Sequence, residues 1–471
     1  MKDKLSIKQW IAIISAGIFT FCGILLETSM NVTFPTLMNE FSVSTALVQW
    51  MTTGPLLAMG ITITMSSYFK RRFRAKSLFL VAGIIISTGI LIDIFAVNFT
   101  LLLIGRFIQG AGIGIAMPMM YNIILDETPD SLVGLMMGVA GLITAIAPSL
   151  GPTFGGIMID ISNWRFIFIS VLPLIVLGTI CGYATIRNKD VNKNETCDFL
   201  GIIFIGISFV AFMIALSMME TGYVLMVAGC AALGAVTIYL FIKRERKITN
   251  PLINLDIFKN KNYNGHVIGL MFMQMTTLGL GLLLPSYIQF VFNKSASSAG
   301  LLLLPGSIIG TICAPLGGYV YDRIGANKPI IVGSTSCLIG IICFMLFNYK
   351  LNSITLIILY SIYMFGVGMT YGNTMTSALK KLKENIVADG NATIQTVTQL
   401  SGAIGTTIVA VVLSVFQKTN NMSETTLQGS FYAFICLLVI ILISFSGQIY
   451  AIRTKEREFN MKRGEVIWME K

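Results

Sequence analysis

Two ionisable residues lie within long apolar stretches of the sequence. Glu27 ends an apolar run that begins at Ile11, and Arg106 interrupts a second run further along the chain. An ionisable group inside a membrane costs about 2.5–3.5 kcal/mol on insertion scales, so each one requires a reason. A carboxyl group in an apolar site can bind and release a proton near neutral pH. We therefore predict that Glu27 carries a proton; the alternative is a partly solvated carboxylate near a helix end.

Arg106 is predicted to act together with Glu27. If the chain crosses a membrane at each apolar run, the first crossing runs outward and the fourth runs inward, so both residues come out in the outer half. A guanidinium near an acid favours the charged form of that acid and helps to set when its proton leaves. The alternative is a structural arginine whose donors are satisfied by backbone carbonyls. Three other acids lie near outer helix ends and are predicted to be interfacial: Asp93, Asp160 and Glu220.

Polar and methionine side chains within the apolar runs are candidates for contact with a substrate. Gln395 and Gln399 are four residues apart and share a helix face. The chain has 26 Met, a residue that repacks around varied shapes and suits a promiscuous cavity, although ordinary packing is the alternative for any one of them. The predicted substrate-binding residues are Asn31, Gln109, Met119, Tyr287, Gln289, Gln395 and Gln399.

A stripe of small residues follows one face of the helix predicted over 133–158. At about 100° per residue its members fall within an arc of roughly 100°: Gly134, Gly138, Gly141, Ala145, Pro148, Pro152, Gly155 and Gly156. In lipid such a stripe lets another backbone approach closely. The two prolines remove backbone donors and should bend the helix. The stripe predicts either a surface on which helices slide or rock, or merely a tight helix pair.

The composition of the whole chain is that of a membrane protein. It has 471 residues, of which 55% are hydrophobic and 12% charged, and its mean hydropathy is +0.79. A soluble domain of this size would need a more charged surface. None of the 8 Cys forms a C-x-x-C, there is a single histidine, and no P-loop motif occurs. We therefore predict an all-α polytopic membrane protein with no cofactor, metal site or ATP site.

Apolar windows of about 20 residues recur from end to end, and the connections between them are short. The first window is too long for a signal peptide and lacks a convincing cleavage site, so it is predicted to be a span. The fourteen predicted spans are 9–30, 46–67, 77–96, 100–121, 133–158, 166–186, 199–218, 223–242, 265–292, 298–320, 329–347, 353–376, 393–416 and 429–452.

Basic residues concentrate on one side of these spans. Of 33 Lys and Arg, 28 lie on the side that carries both termini. The positive-inside rule therefore places both termini in the cytoplasm. The same asymmetry accounts for the net charge of +11, because these residues face anionic lipid headgroups and not nucleic acid.

Several motifs resemble those of the major facilitator superfamily. Gly151-Pro152-x-x-Gly155-Gly156 resembles the antiporter motif of the fifth helix, and Arg106-x-x-Gln-Gly-x-Gly resembles the motif of the fourth. The stretch 26–35 resembles the first-helix motif L-D-x-T-x-V-N-V-A-L-P with Glu27 in place of its Asp. In combination these motifs resemble the fourteen-helix drug/proton antiporter family.

A loop motif of that superfamily occurs twice. The stretch 318–325 keeps the motif residues Asp322, Arg323 and Gly325, whereas the stretch 67–74 has Arg71 where the motif has an acid. The resemblance implies a cytoplasmic gating role for Asp322, Arg323 and Gly325. The repeat predicts two six-helix bundles, with an inserted helix pair between them and a central site at their interface. The predicted limits are 9–186, 199–242 and 265–452.

The resemblance implies a transporter and not an enzyme, and we expect the protein to be a monomer. It implies export of amphipathic drugs or other toxic small molecules in exchange for protons, by alternating access. One alternative is an exporter of a single endogenous metabolite, lipid, peptide or siderophore on the same fold. The other is a non-transporting membrane receptor, against which the near-absence of a loop domain argues.

Overall fold

The computed structural model describes residues 5–188, 198–221, 223–248, 251–253, 255–383, 386–417 and 421–469. Within these ranges the regular structure is helical, with no β-strand. This is the expected solution for apolar segments in lipid, because an α-helix satisfies every backbone donor and acceptor internally.

The described ranges contain fourteen long helices, numbered α1 to α14, which coincide with the fourteen predicted spans. Thirteen of them are long and apolar enough to cross a membrane; the other is α5, a helix of 32 residues at the fifth predicted span. The bounds, in order from α1, are Ile7–Ser29, Trp50–Thr64, Ala75–Ile94, Phe99–Glu127, Asp130–Ile161, Arg165–Thr185, Phe199–Ser217, Val224–Glu245, Lys261–Phe290, Ala296–Ile324, Asn327–Phe347, Ser353–Leu379, Val387–Phe416 and Met422–Met469.

Polar caps fix the start of several helices. Ser6 and Gln9 form a capping box at α1. Asn98 caps α4 through the backbone N–H of Leu101, and Ser295 caps α10 in the same manner. Each cap satisfies donors that the first helical turn would otherwise leave unpaired.

The helices form two bundles of six. In the first bundle α1 packs on α4, α5 and α6, while α3 packs on α4 and α6. In the second, α9 packs on α12, α13 and α14, while α11 packs on α12 and α14. The bundles meet along two helix pairs, α5 with α10 and α2 with α13. The prediction of an all-α fold with two six-helix bundles and an additional pair is confirmed.

Helices α7 and α8 form the additional pair and pack chiefly on each other. Ser208 donates to the carbonyl of Gly234 at 2.9 Å, and Arg244 Nε lies 2.7 Å from Asp198 Oδ1. Helix α7 also contacts α2 and α13 through an apolar cluster that includes Met213. The pair is therefore attached to both bundles through α7.

Candidate functional site

Glu27 and Arg106 both lie inside the first bundle. Glu27 belongs to the last turn of α1 and is 6% exposed, and Arg106 on α4 is 1% exposed. The guanidinium of Arg106 interacts electrostatically with Glu27 and with Asp93. The two residues singled out from the sequence therefore lie within electrostatic reach of each other.

Arg106 is held by neighbours on three elements. Its Nε donates to the carbonyl of Met51 at 3.0 Å, and its Nη1 donates to Gln109 Oε1 at 2.6 Å. The guanidinium carbon lies 6.0 Å from the ring centroid of Phe168, within cation–π range. Among the described residues, the buried Nη2 has no hydrogen-bond partner. The two N–H groups of this nitrogen are thus unused.

Asp93 is a functional candidate that sequence reasoning placed wrongly. It was predicted to be interfacial because it is near the end of a span, yet it is 0% exposed and accepts a hydrogen bond from Gln109 Nε2. Its Oδ1 is buried, and no hydrogen-bond partner for it lies in the described part of the structure. The position of Asp93 near the end of a span suggested contact with solvent, but the packing of α3 on α4 and α6 buries the side chain. The one available signal was the pair Gly89 and Gly105, which flanks the contact between α3 and α4.

The two other acids predicted to be interfacial have different outcomes. Asp160 is exposed and accepts a hydrogen bond from the backbone N–H of Ser297 at 3.3 Å. The side chain of Glu220 lies outside the described part of the structure.

Gln109 and Asn31 are engaged with protein groups. The carbonyl oxygen of Gln109 accepts from Arg106, and its amide nitrogen donates to Asp93. Asn31 is buried and accepts from Thr52 Oγ1 at 3.2 Å. The geometry therefore makes Gln109 a bridge between two charged groups, in addition to its predicted contact with substrate.

The other predicted substrate-binding residues do not converge on one point. Tyr287 is buried and donates to the carbonyl of Asn348 at 2.6 Å. Gln289 donates to the carbonyl of Val32 at 3.0 Å and so joins the two bundles. Both lie at the end of α9 away from the chain termini.

Gln395 and Gln399 lie on α13 at the opposite end from Tyr287. Both are partly buried, and Gln399 Nε2 lies 3.8 Å from the sulfur of Met117 on α4. Met119 lines a cavity of about 240 Å³ between α3, α4 and the short helix Ser66–Arg72. Lys70 Nζ donates to Asn122 Oδ1 at 2.9 Å at this cavity.

The antiporter-type motif on α5 is packed between α1 and α10. Ser29 Oγ donates to the carbonyl of Gly151 at 2.9 Å, and a Cβ at Gly155 would lie 2.6 Å from the backbone oxygen of Ser29. On the other side, a Cβ at Gly156 would lie 2.7 Å from the Cα of Ser297. Because the glycines of this motif have no side chains, α5 contacts the backbone of α1 on one face and the backbone of α10 on the other.

The contact of α5 with α10 is a contact between the two bundles. A Cβ at Gly300 would lie 2.6 Å from the Cα of Thr153, and Thr153 Oγ1 donates to the carbonyl of Gly300 at 3.1 Å. Pro152 contacts the same glycine through its backbone. At Gly151, Pro152, Gly155 and Gly156 the stripe therefore forms tight helix pairs, one of which joins the bundles. The packing of the other stripe members Gly134, Gly138, Gly141 and Ala145 lies outside the described part of the structure.

The second contact between the bundles is an antiparallel pair. Thr53 on α2 lies 3.2 Å from Thr406 on α13, Oγ1 to Oγ1. Seven residues later, a Cβ at Gly60 would lie 3.2 Å from the side chain of Leu400. Near the terminal side of the same pair, Arg71 interacts electrostatically with Asp389, the acid in the first turn of α13. The basic residue at the acid position of the first loop motif thus faces an acid on the other bundle.

The second loop motif lies at the end of α10. Asp322 and Arg323 are exposed, and the Arg323 guanidinium lies 4.5 Å from the ring centroid of Tyr319. Gly325 has φ of 84°, a left-handed conformation that favours glycine at the residue after a helix. This backbone conformation is a structural reason for glycine at position 325, separate from any role in gating.

The fold is similar to that of solved helical membrane proteins. A solved structure of a bacterial homolog of the human lysosomal transporter Spinster, inward-facing and unoccupied, superimposes with a TM-score of 0.70. It covers 96% of this chain and 98% of its own, at 16% sequence identity. At that identity the likeness shows the fold alone.

Sequence comparison specifies the family. Residues 16–406 match the profile of the Major Facilitator Superfamily, so the chain belongs to that superfamily. It is 32% identical over 405 residues to the lincomycin resistance protein LmrB of Listeria innocua, covering 84% of this chain and 85% of that protein. It is 25% identical to the riboflavin transporter RibZ of Clostridioides difficile, over 85% and 87% of the two chains. The protein is a multi-pass membrane transporter, not an enzyme.

Proposed function

We propose that this protein is a proton-coupled antiporter that exports amphipathic drugs or other toxic small molecules across the cell membrane. The observation that supports the proposal best is the buried pair of Glu27 and Arg106, linked to Asp93 through Gln109. Burial disfavours the charged form of a carboxyl group, whereas a nearby guanidinium favours it, so the two effects on its protonation oppose each other. Such a group can exchange a proton in each transport cycle.

Ion gradients supply the energy in this proposal. One proton that moves down 100 mV yields about 2.3 kcal/mol, and a tenfold proton gradient adds about 1.4 kcal/mol. Glu27 binds a proton when the site opens outward and releases it when the site opens inward. Arg106 stabilises the carboxylate that remains and holds it until the next proton arrives.

Alternating access in this proposal is a rocking of the bundle over 9–186 against the bundle over 265–452. The hydrogen bonds at Thr53, Thr153 and Gln289 join the bundles toward the end away from the chain termini. With both termini in the cytoplasm, as the distribution of basic residues indicates, these bonds close the outer side. The small-residue stripe of α5 then serves as a face that rocks against α10.

Cytoplasmic gating involves two sites in this proposal. Asp322, Arg323 and Gly325 act at the end of α10, where the resemblance places a gate. At the equivalent point of the first bundle, Arg71 interacts electrostatically with Asp389 in the reversed polarity, with the base on the first bundle and the acid on the second. The absence of the motif's acid at position 71 is thereby compensated on the partner bundle.

Substrate contacts are proposed along the path between the bundles. Asn31, Tyr287 and Gln289 lie toward the outer end, and Met119, Gln395 and Gln399 lie toward the terminal end. Gln109 is proposed to contact substrate in addition to linking Asp93 with Arg106. The protein acts as a monomer in this proposal, because each bundle interface is completed within one chain.

The similarity to LmrB supports the drug-export reading of the cycle. The similarity to RibZ supports a second candidate, the transport of one planar endogenous metabolite. The two candidates differ in selectivity: a drug exporter accelerates the efflux of many unrelated amphipathic compounds, whereas a metabolite transporter responds to one.

Purified protein in liposomes tests both candidates. Vesicles are loaded with lincomycin, a cationic dye or riboflavin, and efflux is recorded after a pH gradient is imposed. Broad acceleration supports drug export, a response to riboflavin alone supports the second candidate, and no response to any gradient contradicts both.

Glu27→Gln is the residue-level test in the same vesicles. The amide keeps the size of the side chain and cannot carry a proton, so gradient-driven efflux should be lost while exchange of labelled substrate without a gradient persists. Glu424→Gln, at an exposed carboxylate at the start of α14, is the matched control and should transport as the wild type does. Undiminished gradient-driven efflux by Glu27→Gln would falsify the assignment.

A further inference from the structure

A second carboxylate is linked to the coupling pair by a continuous chain of polar contacts. Asp93 on α3 accepts a hydrogen bond from Gln109, and Gln109 accepts one from Arg106 at 2.6 Å. Arg106 in turn interacts electrostatically with Glu27 on α1. One guanidinium on α4 therefore stands between two acids on two different helices.

The packing around Asp93 leaves this arrangement little freedom. A Cβ at Gly89 would lie 2.7 Å from the carbonyl oxygen of Gly105 and 2.8 Å from the backbone nitrogen of Gln109. Asp93 Oδ1 itself lies against Gly105. The helices α3 and α4 approach so closely that Asp93 has no route to solvent, and its position relative to Gln109 is fixed by backbone contact.

A fully buried acid in this place has a cost that a merely structural role does not explain. An ionisable group within a membrane span is expensive and is retained where it pairs with another charge. Within the described part of the structure, Asp93 Oδ1 and Arg106 Nη2 are both buried and without hydrogen-bond partners. Gln109 therefore links the carboxyl group of Asp93 to the guanidinium of Arg106, whose Nη2 is left without an acceptor.

We propose that Asp93 is a positioning residue of the coupling site, which holds Arg106 through Gln109 and offsets part of its charge, so that Arg106 does not permanently deprotonate Glu27. The inference rests on the proposed proton-coupled function and specifies the control of its coupling residue. Among the described residues, Arg106 from α4 interacts electrostatically with Asp93, and it also interacts with Glu27 from α1. From α6, Arg165 donates to the carbonyl of Ala96 at 2.8 Å, close to the same turn.

The consequence is a defined direction of pH dependence. With Asp93 charged, the guanidinium is shared between two acids, and Glu27 can take up a proton at moderate pH. Without the charge of Asp93, Arg106 acts on Glu27 alone and favours its carboxylate. The pH at which transport is half-maximal then falls.

Asp93→Asn tests this inference, because the amide oxygen still accepts from Gln109 while the charge is gone. Initial rates of gradient-driven efflux are measured in liposomes as a function of external pH. The half-maximal pH should fall by about one unit, which corresponds to a tenfold change in proton affinity. Exchange without a gradient should persist, which a folding defect would not allow. Asp256→Asn is the control: this exposed acid pairs with Lys259 on the surface and should leave the profile unchanged.

Gln109→Met provides the test if Asp93→Asn does not yield folded protein. It removes the link between Asp93 and Arg106 without a change of charge and frees Arg106 toward Glu27, so the profile should shift in the same direction. An unshifted profile in either folded variant overturns the role of Asp93. If the wild-type protein itself shows no gradient-driven efflux, the proposed function fails first, and the role of Asp93 falls with it.

Discussion

At the residue scale, a single guanidinium determines how the polar interior of the first bundle is arranged. Arg106 contacts Met51 on α2, Gln109 on its own helix and Phe168 on α6, and it interacts with acids on α1 and α3. Planar donors at fixed angles make this possible, and an ammonium group cannot reproduce them. The interactions of Arg106 therefore depend both on its charge and on the planar shape of its guanidinium.

Arg106→Lys should therefore impair transport although the charge is kept. Lysine cannot donate to Met51 and Gln109 in the same geometry, and a hydrogen bond of a charged group is worth about 1.5–3 kcal/mol. Gradient-driven efflux should fall at least about tenfold, measured as the initial rate in liposomes. Arg246→Lys, at an exposed arginine after α8, is the control. A wild-type rate in Arg106→Lys would mean that charge alone suffices.

The sequence identified Glu27 and Arg106 because their chemical type conflicts with their apolar surroundings, and this conflict is visible in one dimension. It did not identify Asp93, because a residue near a span end is solvated or buried according to its neighbours on other helices. The bridging role of Gln109 was missed for the same reason. Its partners are Asp93 and Arg106, and only the first of these is on another helix.

At the element scale, the two bundles meet along two helix pairs with different chemistry. The α5–α10 pair is closed by glycine, threonine and proline with backbones in contact, whereas the α2–α13 pair uses threonine hydroxyls and apolar side chains. The small-residue stripe of α5 was predicted from the helical period alone. Its partners, α1 on one face and α10 on the other, required the tertiary structure.

Gly300→Val should destabilise the protein and slow transport. The added side chain would overlap the backbone of Thr153, and overpacking of this kind costs about 1–3 kcal/mol. Thermal unfolding in detergent should occur at a lower temperature than in the wild type. Gly229→Ala is the control, since nothing lies within 4 Å of a Cβ at that position on α8. Equal melting temperatures for both variants would show that the α5–α10 contact accommodates the added side chain without a loss of stability.

A charge exchange tests the reversed ion pair between the bundles. Arg71→Asp or Asp389→Arg alone should lower the transport rate, and the double variant should recover it. Because Arg71 is exposed, the pair is worth on the order of 0.2–1 kcal/mol, so each single variant should be slower by about 1.4- to 5-fold. The measurement is the efflux rate at low and at high salt. Additive losses in the double variant would argue against a direct pair.

At the scale of the whole molecule, the distribution of charge predicts the orientation of the bundles. Basic residues follow α2, α6, α8, α10 and α12 and lie at both ends of the chain, so these segments are expected in the cytoplasm. The inserted pair α7–α8 keeps this parity, because two extra spans return the chain to the side from which it left. The two bundles can therefore have the same orientation in the membrane.

Reporter fusions check this orientation. Green fluorescent protein joined after Lys471 should fluoresce, because it folds in the cytoplasm, whereas a fusion after Lys350 should not. Alkaline phosphatase at the same two positions should give the opposite pattern of activity. The reverse pattern at both sites would show that the protein has the opposite orientation in the membrane. The proposed inner and outer gates would then be exchanged.

The sequence alone determined the number of spans, their order, the family resemblance and the two ionisable residues of the coupling pair. These properties are local, because the length of an apolar run and the presence of a charge within it do not depend on how helices are arranged. The tertiary structure decided which buried groups meet: Asp93 with Gln109, the stripe of α5 with α1 and α10, and Arg71 with Asp389. In lipid, apolar periodicity does not determine which helix faces point inward, since lipid tails are as apolar as the interior of the protein. Close packing of small residues therefore selects the helix partners, and with them the polar contacts on which the proposed function depends.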